Sequence, residues 1–321
     1  MVAEMSNPGF LAMHPDLPVL YAVGSFDEPV VAAFKITKTG KAASLSLQNS
    51  APIGDGGAAH VAVDKAGRML LTAQYGGGST GVFSLNDDGS VLERKQLLNH
   101  VGGSKVVPRR QDSSHAHWVG FSPDQRFAFV PDLGLDKVLI YRCHHDDGKI
   151  SNHGFAAISP GGGPRHMKFH PNGKWAYVLH ELDWKVTLFD YDADAGKMSA
   201  RQTIETVSRE EMAKEKFKSC SEIRVHPSGK FVYAANRGHD TITAFRVDQD
   251  SGELSVIEVE NARAITPRNF NIDPTGRWLL VGGQDSHTLA CFEVDQESGE
   301  LAYNRSVVQI PSCICVLFGP E

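Results

Sequence analysis

Long apolar runs, helical periodicity and an excess of positive charge are all missing from this 321-residue sequence. No stretch of eighteen or more residues is continuously apolar, which excludes a membrane-spanning helix. The opening MVAEMSNPGF has neither a charged leader nor an apolar core, so it does not read as a secretory signal. Cysteine is scarce. Cys143, Cys220, Cys291, Cys313 and Cys315 are odd in number, scattered and free of CxxC spacing, which argues against a disulfide framework or a zinc site and for reduced thiols in a cytoplasmic protein. A net charge of −6 supplies no basic field of the kind that nucleic-acid binding needs, so any anion site must assemble its own local group of Arg, Lys and His. There is no GxSxG elbow for a serine nucleophile, and the glycine-rich YGGGS and SPGGGPR lack the P-loop lysine pattern. No cofactor is called for.

What is present is a repeat. Aligned on a short turn, AMHPDLPVLYAVG, AVDKAGRMLLTAQ, GFSPDQRFAFVPD, KFHPNGKWAYVLH, RVHPSGKFVYAAN and NIDPTGRWLLVGG are six copies of one motif. The turn column is His14, Asp64, Ser122, His170, His226 and Asp273, with offsets of 50, 58, 48, 56 and 47 residues, a period that indicates a propeller or solenoid. Each copy reads as a hairpin, followed by a third strand such as VTLFDY or TITAFRV, a turn such as DQDSGEL, and a short fourth strand. Four antiparallel strands make one blade. The chain is thus expected to be a single all-β domain over 1–321, with blades near 8–50, 58–99, 116–158, 164–204, 220–260 and 267–311. The tail SCICVLF, at 312–318, reads as one strand of a seventh blade whose N-terminal part is missing, so the expected fold is a seven-bladed β-propeller with six complete repeats. Two insertions interrupt the repeat: residues 100–114, and SREEMAKEKF at 208–217, the one stretch that reads as a short helix.

Most columns of a repeat are filled by packing, so the informative ones are those where charge replaces small or apolar residues. Five residues before the turn column stand Gly9, Ala59, His117, Arg165, Ser221 and Arg268. Eleven residues after it stand Ser25, Tyr75, Leu133, Glu181, Arg237 and Gln284, preceded by Gln74, Asp132, His180 and Asn236 in four copies. The start of a first strand and the end of a second lie at the same end of a hairpin, so both columns are expected at one mouth of the propeller. Each of these charges alone fits a strand cap or an ion pair between blades as well as a ligand contact; the number of cations on an acidic chain favours an anion site.

At these positions the chain resembles the lactonase family of seven-bladed propellers, which includes propeller-type 6-phosphogluconolactonases and fungal carboxymuconate-lactonizing enzymes. The resemblance runs through NPGFLAMHP, HVAVDKAGRMLLTAQYGGGS, SSHAHWVGFSPDQRFAFVPDLGLDKV, GGGPRHMKFHPNGKWAYVLHEL, HPSGKFVYAANRGHDTI and PRNFNIDPTGRWLLVGGQDS. It implies metal-independent catalysis by His117 of HAHW, Arg165 of PRH, Glu181 of LHEL and Arg237 of NRG, with Arg268 of PRNF as a further matching position. The family's usual YVGTYT block before NPGF does not occur.

Lactone hydrolysis needs an activated water, a stabilised oxyanion and an anchor for the rest of the sugar acid. His117 and Glu181 are the candidates for proton transfer, and Arg165 and Arg237 for the oxyanion or a substrate carboxylate or phosphate. Arg268, His166, Asp132, Tyr75 and Gln284, with Arg109 and Arg110 of the first insertion, complete the expected substrate-binding group. The same residues would serve a carboxymuconate-type cyclase, and a propeller that only binds a protein partner is the alternative outside enzymology. His115 and His117 form an HxH pair, but a zinc site needs a third ligand and none beyond Asp112 is near, so no metal is expected. Trp118 reads as a packed aromatic. The expected partner is a small anionic lactone, 6-phosphogluconolactone first, with no nucleic acid and no membrane.

Overall fold

The computed structural model describes residues 3–40 and 42–319. Six antiparallel sheets of four strands account for nearly all regular structure. The chain divides into two compact units, the first holding the described residues through Ala157, the second Ile158–Phe318. The first unit carries three sheets. These are β1 (Ser6–Met13), β2 (Val19–Ser25), β3 (Pro29–Thr39) and β4 (Ala42–Pro52); β5 (Ala58–Val63), β6 (Met69–Gln74), β7 (Ser79–Leu85) and β8 (Val91–Asn99); and β9 (Gly120–Phe121), β10 (Phe127–Asp132), β11 (Lys137–His144) and β12 (Lys149–Ala157). The second carries β13 (Pro164–Phe169), β14 (Trp175–His180), β15 (Lys185–Asp192) and β16 (Lys197–Glu205); β17 (Ser219–Val225), β18 (Phe231–Arg237), β19 (Thr241–Val247) and β20 (Leu254–Asn261); and β21 (Pro267–Ile272), β22 (Trp278–Gly283), β23 (Thr288–Val294) and β24 (Leu301–Gln309). Among the described residues the one helix, α1 (Arg209–Lys214), lies in the second insertion, where Ser208 caps it by accepting from the Glu211 amide. Among the described residues no helix is long and apolar enough to cross a membrane.

The expectation of seven blades is corrected here: the described residues form six, and 312–318 adds no strand to a seventh. The reason is local. A lone strand with no hairpin partner has no ladder to join, and its backbone groups must be satisfied otherwise. The Val316 amide donates to Asn269 Oδ1 at 2.8 Å and the Val316 carbonyl accepts from Asn271 Nδ2 at 3.0 Å. The tail is therefore held by two side chains of β21 rather than by a sheet. Cys313 is buried beside Gly282, where a Cβ would stand 2.8 Å from the Cys313 sulfur.

Alternation in the first three strands buries one apolar residue set between neighbouring sheets. Phe231, Tyr233, Phe270 and Phe292 do this in the second unit, and Met69, Leu71, Val82 and Val130 in the first. The turn-column histidines and second-strand tyrosines add polar latches. His170 and His226 contact the carbonyls of Gly229 and Gly276, on the next sheet, at 2.8 and 2.9 Å. Tyr177 and Tyr233 donate to Gly252 and Gly299 at 2.8 Å each, and Tyr21 does the same to Gly89 at 2.6 Å. Gly229 has φ +74, and a Cβ there would stand 2.6 Å from His170 Nε2, so both conformation and space require glycine.

One irregularity positions the candidate site. In the first hairpin of several sheets the pairing skips a residue: Pro164 pairs His180 while His166 pairs Leu179, and Pro267 pairs Gly283 while Asn269 pairs Gly282. Arg165 and Arg268 are the skipped residues. A bulge of this kind removes one residue from the alternation and re-aims it. Strict alternation would send Arg165 and His166 to opposite faces; instead their side chains meet, Arg165 Nη1 lying 3.1 Å from His166 Nε2.

Candidate active site

The second unit gathers an arginine-rich cluster. Arg165, on β13, is 3 % exposed and Glu181, just past β14, is 4 % exposed. Arg165 Nε donates to Glu181 Oε2 at 2.9 Å, and Arg237 Nη2, at the end of β18, pairs with the same oxygen at 3.3 Å. One carboxylate oxygen thus ties two guanidinium groups from adjacent sheets. Arg165 also donates to the Ser221 carbonyl, and Arg237 to Ser219 Oγ and to the Cys220 carbonyl, the last at 3.0 Å. Glu181 is fixed through its backbone: its amide donates to Gly163 O at 2.7 Å and its carbonyl accepts from the Cys220 amide at 3.0 Å. The glycine run before β13 makes this possible, since a Cβ on Gly162 would stand 2.7 Å from His180 Nδ1.

Electrostatics follow from the count of charges. Burial and then the neighbouring Arg237 charge push Arg165 down to about 9, opposed by Glu181; it remains a cation at neutral pH. Arg268, half-buried on β21, lies close enough to lower Arg165 further. Three guanidinium groups therefore face two carboxylates, Glu181 and Glu222, a cationic excess inside an acidic chain. Arg237 Nε is buried and has no hydrogen-bond partner among the described residues, a donor that an incoming anion would satisfy. Burial pushes the Cys220 thiol up to about 12, so it offers no thiolate nucleophile beside Arg237.

Directly beyond this cluster, on the first strands β13, β17 and β21, lies a second line of polar groups, of which the sequence singled out His166 alone. His166 Nδ1 faces Glu222 Oε1 at 3.0 Å, and Glu222 Oε2 accepts from Asn269 Nδ2 at 2.5 Å and from Arg224 Nη2 at 3.3 Å. Glu222 is fully buried. His166, Glu222 and Asn269 stand four residues before the turn column in consecutive copies. Applying the charge-for-apolar criterion to that column would have added Glu222 and Asn269 to His166.

The first unit holds the remaining candidates. His117 is buried; its amide donates to Pro131 O at 3.0 Å, and its ring lies edge-on to Tyr75 at 5.2 Å. Tyr75 stacks on His115 at 4.6 Å and accepts from Arg110 Nη2 at 3.3 Å through its hydroxyl, so the first insertion does reach this group. Arg109 is exposed, with its amide bonded to Asp112 Oδ2 at 3.0 Å. The Asp132 carboxylate is taken up by its surroundings: Oδ2 meets His100 Nδ1 at 2.7 Å and Oδ1 accepts from the amides of His115 and Gly134 at 2.8 and 3.0 Å. In the second unit Gln284 is half-buried, its amide bonded to Thr266 O at 3.0 Å. Among the described residues no three His, Cys, Asp or Glu side chains are grouped so as to hold a metal ion.

The chain is similar to known proteins along most of its length. The chain is 34 % identical over 271 residues to the 6-phosphogluconolactonase of Bacillus subtilis, covering 84 % of this chain and 75 % of that protein. It is 32 % identical over 279 residues to the 6-phosphogluconolactonase of Formosa agariphila, with 84 % and 76 % covered. The solved structure of the periplasmic gluconolactonase of Pseudomonas aeruginosa superposes with a TM-score of 0.88 at 29 % identity, over 98 % of this chain and 88 % of that one. The family described as "Lactonase, 7-bladed beta-propeller" matches residues 1–318, and the chain belongs to that family of β-propeller hydrolases.

Proposed function

We propose that the protein hydrolyses a phosphorylated sugar lactone, 6-phosphogluconolactone, to 6-phosphogluconate. The observation that carries this is the gathering of three guanidinium groups, Arg165, Arg237 and Arg268, against the two carboxylates Glu181 and Glu222. A neutral lactone does not call for so much positive charge, whereas a lactone bearing a phosphate does. The named activity of the Bacillus and Formosa relatives supports the same choice.

In this reading water adds to the lactone carbonyl carbon, and the carbonyl oxygen becomes an oxyanion held by Arg165 or Arg237. The tetrahedral intermediate then expels the ring oxygen, which leaves as a hydroxyl after taking a proton, and the new carboxyl group ionises. One proton leaves the water and one arrives at the ring oxygen, so a single acid–base group suffices for the cycle. Glu181 holds the two arginines in place; the proton transfer is assigned to His117 or Glu181, the two candidates that the family resemblance implies.

The test is hydrolysis of freshly prepared 6-phosphogluconolactone against its spontaneous rate, with and without EDTA. Turnover well above background and insensitive to EDTA is expected. A rate equal to background, with folded protein, would refute the proposal.

A further inference from the structure

Arg165 is a bulge residue, and no ladder hydrogen bond fixes where its guanidinium points. Glu181 and the Ser221 carbonyl hold it within the cluster, and two groups outside the cluster add to them. Arginine has only donors, so the 3.1 Å contact between Arg165 Nη1 and His166 Nε2 requires Nε2 to be the acceptor. The proton of a neutral imidazole must then sit on Nδ1, which donates to Glu222 Oε1 at 3.0 Å.

Glu222 is itself immobilised. Oε1 also accepts from the Ile223 amide at 2.9 Å, and Oε2 accepts from Asn269 and Arg224. Asn269 has no freedom to turn over, because its Oδ1 is occupied by the Val316 amide at 2.8 Å. Every orientation along the line is therefore determined: tail amide to Asn269, Asn269 to Glu222, Glu222 to His166, His166 to Arg165, Arg165 to Glu181.

We propose that His166 and Glu222 are positioning residues, a buried relay that fixes the imidazole tautomer and so aims the Arg165 guanidinium at the bound anion. The inference rests on the lactonase reading for what Arg165 binds, but not for how Arg165 is held. Protonating His166 would set an N–H against the Arg165 N–H groups, so the relay works only with a neutral imidazole. The surroundings enforce this. Burial, then the charges of Arg165, Lys168, Arg224 and Arg268, hold His166 well below the ordinary histidine range, although Nδ1 faces the Glu222 carboxylate.

Two measurements test it. The first needs no activity: nitrogen-15 NMR of the histidine rings in the folded wild-type protein should show His166 as the Nδ1–H tautomer, unchanged between about pH 5.5 and 8.5. An Nε2–H tautomer, or titration near the ordinary histidine value, would overturn the relay whatever the enzyme does. The second compares His166→Phe, which leaves Arg165 only Glu181 and the Ser221 carbonyl as acceptors, with His166→Gln, whose amide can accept from Arg165 and donate to Glu222. Binding of the anion 6-phosphogluconate should weaken by about ten- to a hundredfold in His166→Phe, and return to within a few-fold of wild type in His166→Gln. Wild-type affinity in folded His166→Phe would contradict the proposal, as would a His166→Gln variant that folds but binds as poorly as His166→Phe. Failure of wild-type lactone turnover, with the tautomer and affinity results intact, would instead reject the assigned substrate and leave the relay standing.

Discussion

Arg165 Nε and Glu181 Oε2 lie 2.9 Å apart in a buried pair whose carboxylate is shared with Arg237 at 3.3 Å. The pair joins two strands of one sheet, and Arg237 brings in the next, so the cluster is a structural clamp and a cationic surface at once. Breaking it at one partner leaves the other charges buried and unbalanced.

Substituting Glu181 separates these roles. In Glu181→Gln the two guanidinium groups lose their shared counter-charge and repel, and stability should fall by about 3 kcal/mol, the usual cost of breaking a buried pair at one side. Urea unfolding checks this. A loss below about 1 kcal/mol would mean that Glu181 does little to hold the arginines.

Alkaline pH should switch off anion binding through Arg165. Its folded value is depressed to about 9 by burial first and by Arg237 second. The guanidinium is charged below that value and neutral above it, so, once the ligand's phosphate is fully ionised above about pH 7, affinity for 6-phosphogluconate should be flat to about pH 8 and decline as the pH rises through about 9. Isothermal titration calorimetry of this product anion avoids the spontaneous hydrolysis of the lactone at alkaline pH. An affinity that holds steady to pH 10.5 would show that Arg165 does not carry the anion.

Lys168, half-buried on β13 two residues past His166, is pushed down to about 7, by burial first and Arg224 second, opposed by Glu222 and Cys315. An amine with that value is largely neutral and nucleophilic at pH 8, whereas ordinary surface lysines are not. Brief labelling with an amine-directed acylating reagent at pH 7.5 should modify Lys168 ahead of exposed lysines such as Lys214, as peptide mass spectrometry would show. Preferential labelling of Lys214 would contradict it.

The tail contact has its own signature. Asn269→Leu removes the acceptor of the Val316 amide and one donor to Glu222. Each orphaned buried group costs about 1–3 kcal/mol, so the Val316 amide should exchange with solvent at least tenfold faster. Unchanged exchange would mean that the tail is held elsewhere. Tyr177→Phe should cost about 1 kcal/mol, or a few degrees in Tm, by leaving the Gly252 carbonyl without its donor.

The repeat was legible because a β-hairpin writes itself locally: HPNGKWAYVLH and HPSGKFVYAAN carry turn, alternation and aromatic anchor within a dozen residues. The tail misled for the same reason. SCICVLF has the composition of a strand, but a strand exists only through its partner, and here Asn269 and Asn271 satisfy the backbone instead. Among the candidate residues, the contacts of Arg165, Glu181 and Arg237 follow from columns that the repeat exposes. Glu222 and Asn269 were missed because period-2 alternation assigns Arg165 and its successor to opposite faces. The bulge at Arg165 brings both to one side, and no residue type in PRHMKF announces a bulge. Asp132 shows the converse. A polar residue at a strand end looks like a ligand group, yet its oxygens serve His100 and the turn amides of His115 and Gly134.

The most direct test of the central claim compares kcat/KM for 6-phosphogluconolactone and unphosphorylated gluconolactone in wild type and Arg165→Met, each corrected for spontaneous hydrolysis. The charged substrate should be preferred by at least about tenfold in wild type, and Arg165→Met should lose about a hundredfold or more on it while remaining folded. Equal rates on the two lactones, or full activity in Arg165→Met, would contradict the account.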